Sequence, residues 1–206
     1  MGATIVSSAN SLAVEDLGSA AQRDRRKRIL DATYQLARDG GFDAVQMRAV
    51  ADRADVALGT LYRYFPSKIH LLVSALGRTF EQAEASMRGR PVPGDTPADR
   101  VISVLKRTTR GLQGDPHLTE ALTRAFMFAD ASVASEIHDV GMLMTSMLTH
   151  AMDPERDDEV TDDDVAIARV IGDVWLSALV AWVTGRSTAA DTAQHMETAV
   201  RLLLRD

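Results

Sequence analysis

Along most of the chain apolar residues recur every three or four positions, the spacing that gives a helix one buried face. From Asp24 to Asp39 the inward positions are Ile29, Ala32, Thr33, Leu36 and Ala37, and Gly40-Gly41 ends the pattern as C-cap glycines do. Val50, Ala51 and Ala54 form the inner face of a short second helix opened by Gln46 or a neighbour, and Asp55-Val56-Ala57 is its turn. A third helix runs from about Leu58 to Phe65, where Pro66 halts it. Ser67 then caps a long fourth helix whose stripe includes Leu71, Leu72, Ala75, Leu76, Thr79, Phe80, Ala83 and Met87.

After a Gly/Pro-rich break at 89–97, helices are predicted near 98–112, 116–128, 132–152, 162–184 and 188–204. The fold class is therefore all-α. The pattern divides into an N-terminal arm, expected to be flexible, over residues 1–20, a helix-turn-helix head over 21–68 and a helical body over 69–206. In the body, Ala168, Ile171, Trp175, Ala178 and Trp182 form one stripe, with Ile167, Val170, Val174 and Leu179 widening it beyond what one core face needs.

Charge sharpens the division. The net charge is −6, yet residues 21–70 hold ten Lys or Arg against six Asp or Glu, leaving the remainder strongly acidic. A basic head on an acidic body confines polyanion binding to one face. Arg23, Arg25, Arg26, Lys27 and Arg28 stand at the start of the first helix, where the macrodipole favours anions, and a neighbouring phosphate would relieve them. The chain has no cysteine, which excludes disulfides and thiolate metal sites and fits a reducing cytoplasm. Val174 to Gly185, the longest uncharged apolar run, is too short to span a bilayer, so no membrane partner is expected.

On the third helix Leu61 and Phe65 face inward, leaving Gly59, Thr60, Tyr62, Arg63 and Tyr64 outside. Arginine grips guanine with two parallel bonds, hydroxyls reach phosphate oxygens, and glycine permits close backbone approach. Each tyrosine alone reads equally well as a packing ring; together the residues read as a DNA-facing surface. Catalysis has no apparatus here. His70, His117, His138, His150 and His195 show no metal-ligand spacing, and there is no phosphate loop or nucleophile elbow, so an enzyme and a metal site are not expected.

Thr60-Leu-Tyr-Arg-Tyr-Phe-Pro-Ser-Lys68, preceded by Met47-Arg-Ala-Val-Ala-Asp-Arg-Ala-Asp-Val56 and the Ile29-Leu-Asp-Ala-Thr33 helix, resembles the N-terminal domain of TetR-family transcriptional repressors. The resemblance implies that Gln46, Met47 and Arg48 open a supporting helix near phosphate, that Leu58, Gly59, Thr60, Tyr62, Arg63 and Tyr64 form the recognition surface, and that Lys68 clamps a phosphate. The turn departs from the family's common Ala-Gly-Val-Ser: it reads Ala54-Asp-Val-Ala57, so no hydroxyl stands at position 57.

His70-Leu-Leu-Val-Ser-Ala-Leu-Gly77, Leu118-Thr-Glu-Ala121, Phe128-Ala-Asp-Ala-Ser132 and Asp173-Val-Trp-Leu-Ser177 resemble regulators of steroid degradation within that family. What this implies is a homodimer on near-palindromic, double-stranded operator DNA, released by a hydrophobic effector, a steroid-derived coenzyme A thioester. A fatty acyl thioester or a drug is the alternative effector. The residues expected around such a ligand are Phe80, Met87, Leu105, Leu122, Phe126, Met127, Met142, Met147, Trp175 and Leu179. Flexible methionines suit a cavity that closes on a rigid lipid, although they fill ordinary cores as readily. Lys106, Arg107, Arg110 and Arg124 are candidates for the coenzyme's phosphates. The final helix, with Met196, Val200 and Leu203, is expected to join the 162–184 helix in a four-helix dimer interface.

Overall fold

In the computed structural model residues 5–87, 89–156 and 159–205 are described, with side chains from Ala20 onward. All regular structure among them is helical: α1 (Ile5–Ala44), α2 (Met47–Ala54), α3 (Leu58–Tyr64), α4 (Lys68–Met87), α5 (Pro97–Gln113), α6 (Pro116–Met127), α7 (Ala134–Met152), α8 (Asp162–Val183) and α9 (Ala189–Leu203), with a 3-10 turn at Ala131–Val133. The predicted boundaries agree closely except at the start. The helical backbone of α1 begins at Ile5 and runs through the segment expected to be an arm, whose first four residues lie outside the described ones.

The expected stop at Gly40-Gly41 is present, since both leave helical geometry before one further turn to Ala44. Gly41 is at φ +66°, and a Cβ there would stand 2.8 Å from Glu120 Oε2, so glycine serves both the turn and the close approach of α6. Side-chain oxygens cap the body helices: Thr96 accepts from Asp99 N–H, Asp115 from Leu118 N–H, and Thr161/Asp164 and Thr188/Asp191 form reciprocal capping boxes at α8 and α9.

The head is a three-helix unit around the buried Ile29, Leu30, Val45, Val50, Leu61 and Phe65. It docks mainly through α1 against α6, while α4 leaves it to pack on α6 and α7. Tyr34 Oη, donating to Ala75 O at 2.6 Å, pins α1 to α4, and burial raises that phenol's pKa above its usual value.

In α8, Ala168, Ile171, Trp175, Ala178 and Leu179 face the body core, while Trp182 is half-exposed. This helix is long and apolar enough by composition to cross a bilayer, a property the count of uncharged residues alone did not reveal. Its buried stripe packs it onto the body, and the acidic Asp162, Asp163 and Asp164 stand at its start. In α9 the expected interface set divides. Met196 and Val200 are buried within the subunit and cannot face a partner, whereas Leu202 and Leu203 are 55% and 37% exposed.

Candidate nucleic-acid interface and apolar cavity

The α2–α3 unit is shaped by backbone as much as by side chains. Asp55 ends α2 in the left-handed region at φ 53°, its N–H directed back to Ala51 O and Asp52 O. Arg28 Nη1 donates to Ala54 O at 2.8 Å and reaches Asp55 O at 3.4 Å. That guanidinium satisfies carbonyls at the negative end of α2. Arg28 therefore has a structural task, and the basic run of α1 is not wholly available to phosphate. Lys27 is paired with Asp31, and Arg26 lies 5.8 Å from the Phe65 ring.

Leu61 and Phe65 point inward as their spacing predicts. Gly59, Tyr62 and Arg63 are exposed on α3, and Gln46 and Arg48 at the start of α2; Arg48 and Arg63 have no ion pair among the described residues. A Cβ on Gly59 would meet nothing within 4 Å, so the space beside it is open to a docking surface. The remaining expected contacts are half-covered: Met47, Leu58 and Tyr64 pack on the core, and Thr60 is partly shielded. Neither Gln46 nor Ala57 supplies a side-chain cap, which leaves the first N–H groups of α2 and α3 without one.

Lys68 is placed differently from a free phosphate clamp. Its Nζ stands 3.8 Å from the Phe42 ring centroid, and Arg124 lies 4.5 Å from the same ring. Burial pushes the Lys68 ammonium below its usual range and Arg124 adds to this, with Asp43 and Glu120 opposing. The following turn is anchored to the body, because His70 bonds Ser67 Oγ through Nδ1 at 2.9 Å and Ser132 O through Nε2 at 3.0 Å.

Within the body an apolar cavity of ≈ 110 Å³ lies between α4, α6, α7 and α8. Five of the ten expected residues meet there: Phe80, Leu122, Phe126, Trp175 and Leu179. Phe80 and Trp175 pack edge to face with centroids 5.8 Å apart, and Trp175 Nε1–H donates to Thr109 Oγ1 at 2.8 Å. The other five lie elsewhere. Met87 and Met147 border a recess between α4 and α7, Leu105 lines a groove between α5 and α9, and Met127 and Met142 are 54% and 55% exposed.

Met144, Thr119, Thr123, Gly172 and Leu176 belong to the cavity wall and escaped the sequence reading. The positions three residues before Leu122, Phe126 and Trp175 would have found three of them, Thr119, Thr123 and Gly172. Of the basic candidates, Lys106 is paired with Glu197 at 2.8 Å, Arg107 donates to Ser86 Oγ, Arg110 bonds Lys106 O on its own helix, and Arg124 faces the head. None lines this cavity.

Residues 29–75 match the model of the bacterial regulatory proteins of the tetR family, and residues 94–203 match a tetracyclin repressor-like C-terminal domain. The chain belongs to the TetR family. Beyond the TetR-family head, similarity runs through the body. The chain is 59% identical over 96% of its length, and 91% of the relative's, to the HTH-type transcriptional repressor KstR of Rhodococcus jostii. It is 56% identical over 95% of its length to KstR of Mycobacterium tuberculosis, covering 87% of that protein. Among solved structures, a TetR transcriptional regulator from Rhodococcus sp. RHA1 superposes with a TM-score of 0.81 at 33% identity, covering 90% of this chain and 97% of that one. This TetR-family chain is thus a KstR-like transcriptional repressor, a regulator rather than an enzyme.

Proposed function

We propose that the chain acts in the cytoplasm as a homodimeric repressor of steroid-degradation genes, bound to near-palindromic operators and released by a steroid-derived coenzyme A thioester. The observation that carries this reading is the similarity to KstR repressors across body as well as head, since the body is where an effector would be sensed. The cavity supports it: its wall is almost wholly apolar and carries three aromatic side chains, Phe80, Phe126 and Trp175, suited to a rigid ring system. At ≈ 110 Å³ it falls well short of the roughly 300 Å³ at the lower end of ligand pockets, so an effector of that size must open it. Opening moves the walls, and α6 is one of them. Self-association is supported by exposed Val170 on α8 and Leu202 and Leu203 on α9.

In this mechanism Tyr62 and Arg63 read base edges while Arg48 and Gln46 hold phosphates, and the effector binds the DNA-incompetent arrangement more tightly. The test is a titration of the operator-bound full chain with free sterols, sterol acids and their coenzyme A thioesters. Release by steroid thioesters at concentrations where fatty acyl thioesters leave the complex intact is the expected result. Release only by fatty acyl thioesters or unrelated drugs would remove the steroid assignment.

A further inference from the structure

The cavity wall contains one hydroxyl group that the protein does not use. Thr123, on α6, is 6% exposed and lines the cavity. Threonine inside a helix ordinarily turns its hydroxyl back to the carbonyl four residues earlier. Thr33, Thr79, Thr108, Thr149 and Thr192 all do so here, at 2.8 to 3.2 Å. The other two threonines near the cavity are also engaged: Thr119 Oγ1 donates to Leu112 O at 2.6 Å, and Thr109 Oγ1 accepts from the Trp175 indole. Thr123 makes no hydrogen bond through its hydroxyl among the described residues. Nor is that oxygen among the sealed polar atoms of the core, so it keeps contact with open space, and the cavity is the space that Thr123 lines.

We infer that Thr123 Oγ1 is the recognition group for a carbonyl or hydroxyl oxygen on the buried, rigid apolar part of the effector. This rests on the reading of the cavity as the effector pocket. In an otherwise apolar site one hydroxyl cannot add much gross affinity, but it selects. A ligand oxygen placed against it recovers a bond that both groups had in water, and an oxygen placed elsewhere in this wall loses its hydration without return. The site thereby fixes which edge of a flat ring system enters first.

The experiment is a two-by-two cycle on the full chain: wild type and Thr123→Val, each titrated with 2-tetralone and with its deoxy counterpart tetralin, small bicyclic probes with and without the oxygen. Tryptophan fluorescence in a Trp182→Phe background, where Trp175 alone reports the cavity wall, supplies the dissociation constants. Valine keeps the volume and removes only the hydroxyl, and Thr123→Ser serves as the rescue. The expected result is a five- to ten-fold loss for 2-tetralone with Thr123→Val, little change for tetralin, and recovery of most of the loss with Thr123→Ser. Equal effects on both probes, or no binding of 2-tetralone to the wild type, would overturn the assignment. The same cycle with two steroid coenzyme A thioesters that differ only in the presence of a ring ketone, read by operator release, separates the two claims. An intact tetralone cycle with no release by either steroid removes the steroid reading and leaves the Thr123 assignment standing.

Discussion

Phe42 N–H donates to Glu120 Oε2 across 2.9 Å, so the backbone that follows the Gly40-Gly41 break is held by the same helix that walls the cavity. Glu120 stands between Thr119 and Leu122, which line the cavity, while its own side chain turns to the head. Arg124, one turn on, pairs with Glu120 and Asp43 and covers the Phe42 ring. His117 Nδ1 lies 3.2 Å from Arg38 O, and Arg38 pairs with Asp115 at 2.7 Å, so the first turns of α6 grip the end of α1 over its whole width.

Replacing Glu120 by alanine is expected to weaken communication without touching either ligand. A charge-assisted but partly exposed bond accounts for about 1 kcal/mol, so the ratio of operator dissociation constants with and without saturating effector should fall about five-fold. Fluorescence anisotropy on labelled operator measures both constants. An unchanged ratio would show that α6 does not transmit through this bond.

Asp55 occupies a left-handed position that glycine adopts without steric cost. Asp55→Gly should stabilise the chain by about 1 kcal/mol and raise its thermal midpoint by a few degrees. It also removes a carboxylate from the DNA-facing turn, so operator affinity should not decrease. Thermal unfolding with operator binding on the same preparation tests both halves; a lowered midpoint would mean that the Asp55 side chain has a stabilising role not visible in its contacts.

Arg63 and Lys68 should fail in different ways. Arg63 is exposed and unpaired among the described residues, so Arg63→Ala is expected to cost about 1–3 kcal/mol on the native operator and much less on scrambled DNA. Lys68 is drawn toward Phe42, and Lys68→Met should weaken binding to both DNAs alike while reducing the salt slope by roughly 0.9. Affinities at four salt concentrations on the two DNAs distinguish these outcomes. Loss of sequence preference in Lys68→Met would reassign it to base reading.

The capping boxes make α8 and α9 sensitive to acid. Hydrogen bonds from the Thr161 and Thr188 hydroxyls hold the Asp164 and Asp191 carboxyls below their ordinary pKa, with the backbone N–H of each threonine and, for Asp164, Arg156 assisting. Their contribution is therefore complete above the unfolded aspartate value, near pH 4, and disappears as the pH falls through the lower folded values. Helicity followed from pH 6 to pH 2 should decline in the wild type, and less steeply in that range for Asp164→Asn/Asp191→Asn. Superimposable profiles would place the acid sensitivity elsewhere.

The helices of this protein were legible because their stripes repeat and their ends are chemical: Gly40-Gly41 and Pro66 as stops, Thr161 as a start. The outward face of α3 was legible for the same reason, since burying Leu61 and Phe65 forces Tyr62 and Arg63 out. The cavity was only half legible. Three methionines at 142, 144 and 147 wrap α7, so composition could not say which faced inward; Met144 and Met147 are buried and Met142 is exposed. The tasks of Arg28 and Lys68 depend on which groups other helices bring beside them, Ala54 O in one case and Phe42 in the other, and no spacing along the chain encodes that.

The twenty residues of α4 have a mechanical meaning. At 1.5 Å per residue the helix is a lever about 30 Å long, with Lys68 at the head and Phe80 beside the cavity. A tilt of about 6° about its far end, within what repacking around one bulky ligand produces, swings the Lys68 end by roughly 3 Å. In the proposed dimer two such levers move in opposite senses, and the reading helices separate by about 6 Å, half the roughly 12 Å width of a major groove. Recognition by rigid, paired heads is unforgiving of such an error: each helix can fit its own half-site perfectly well, but not both at once.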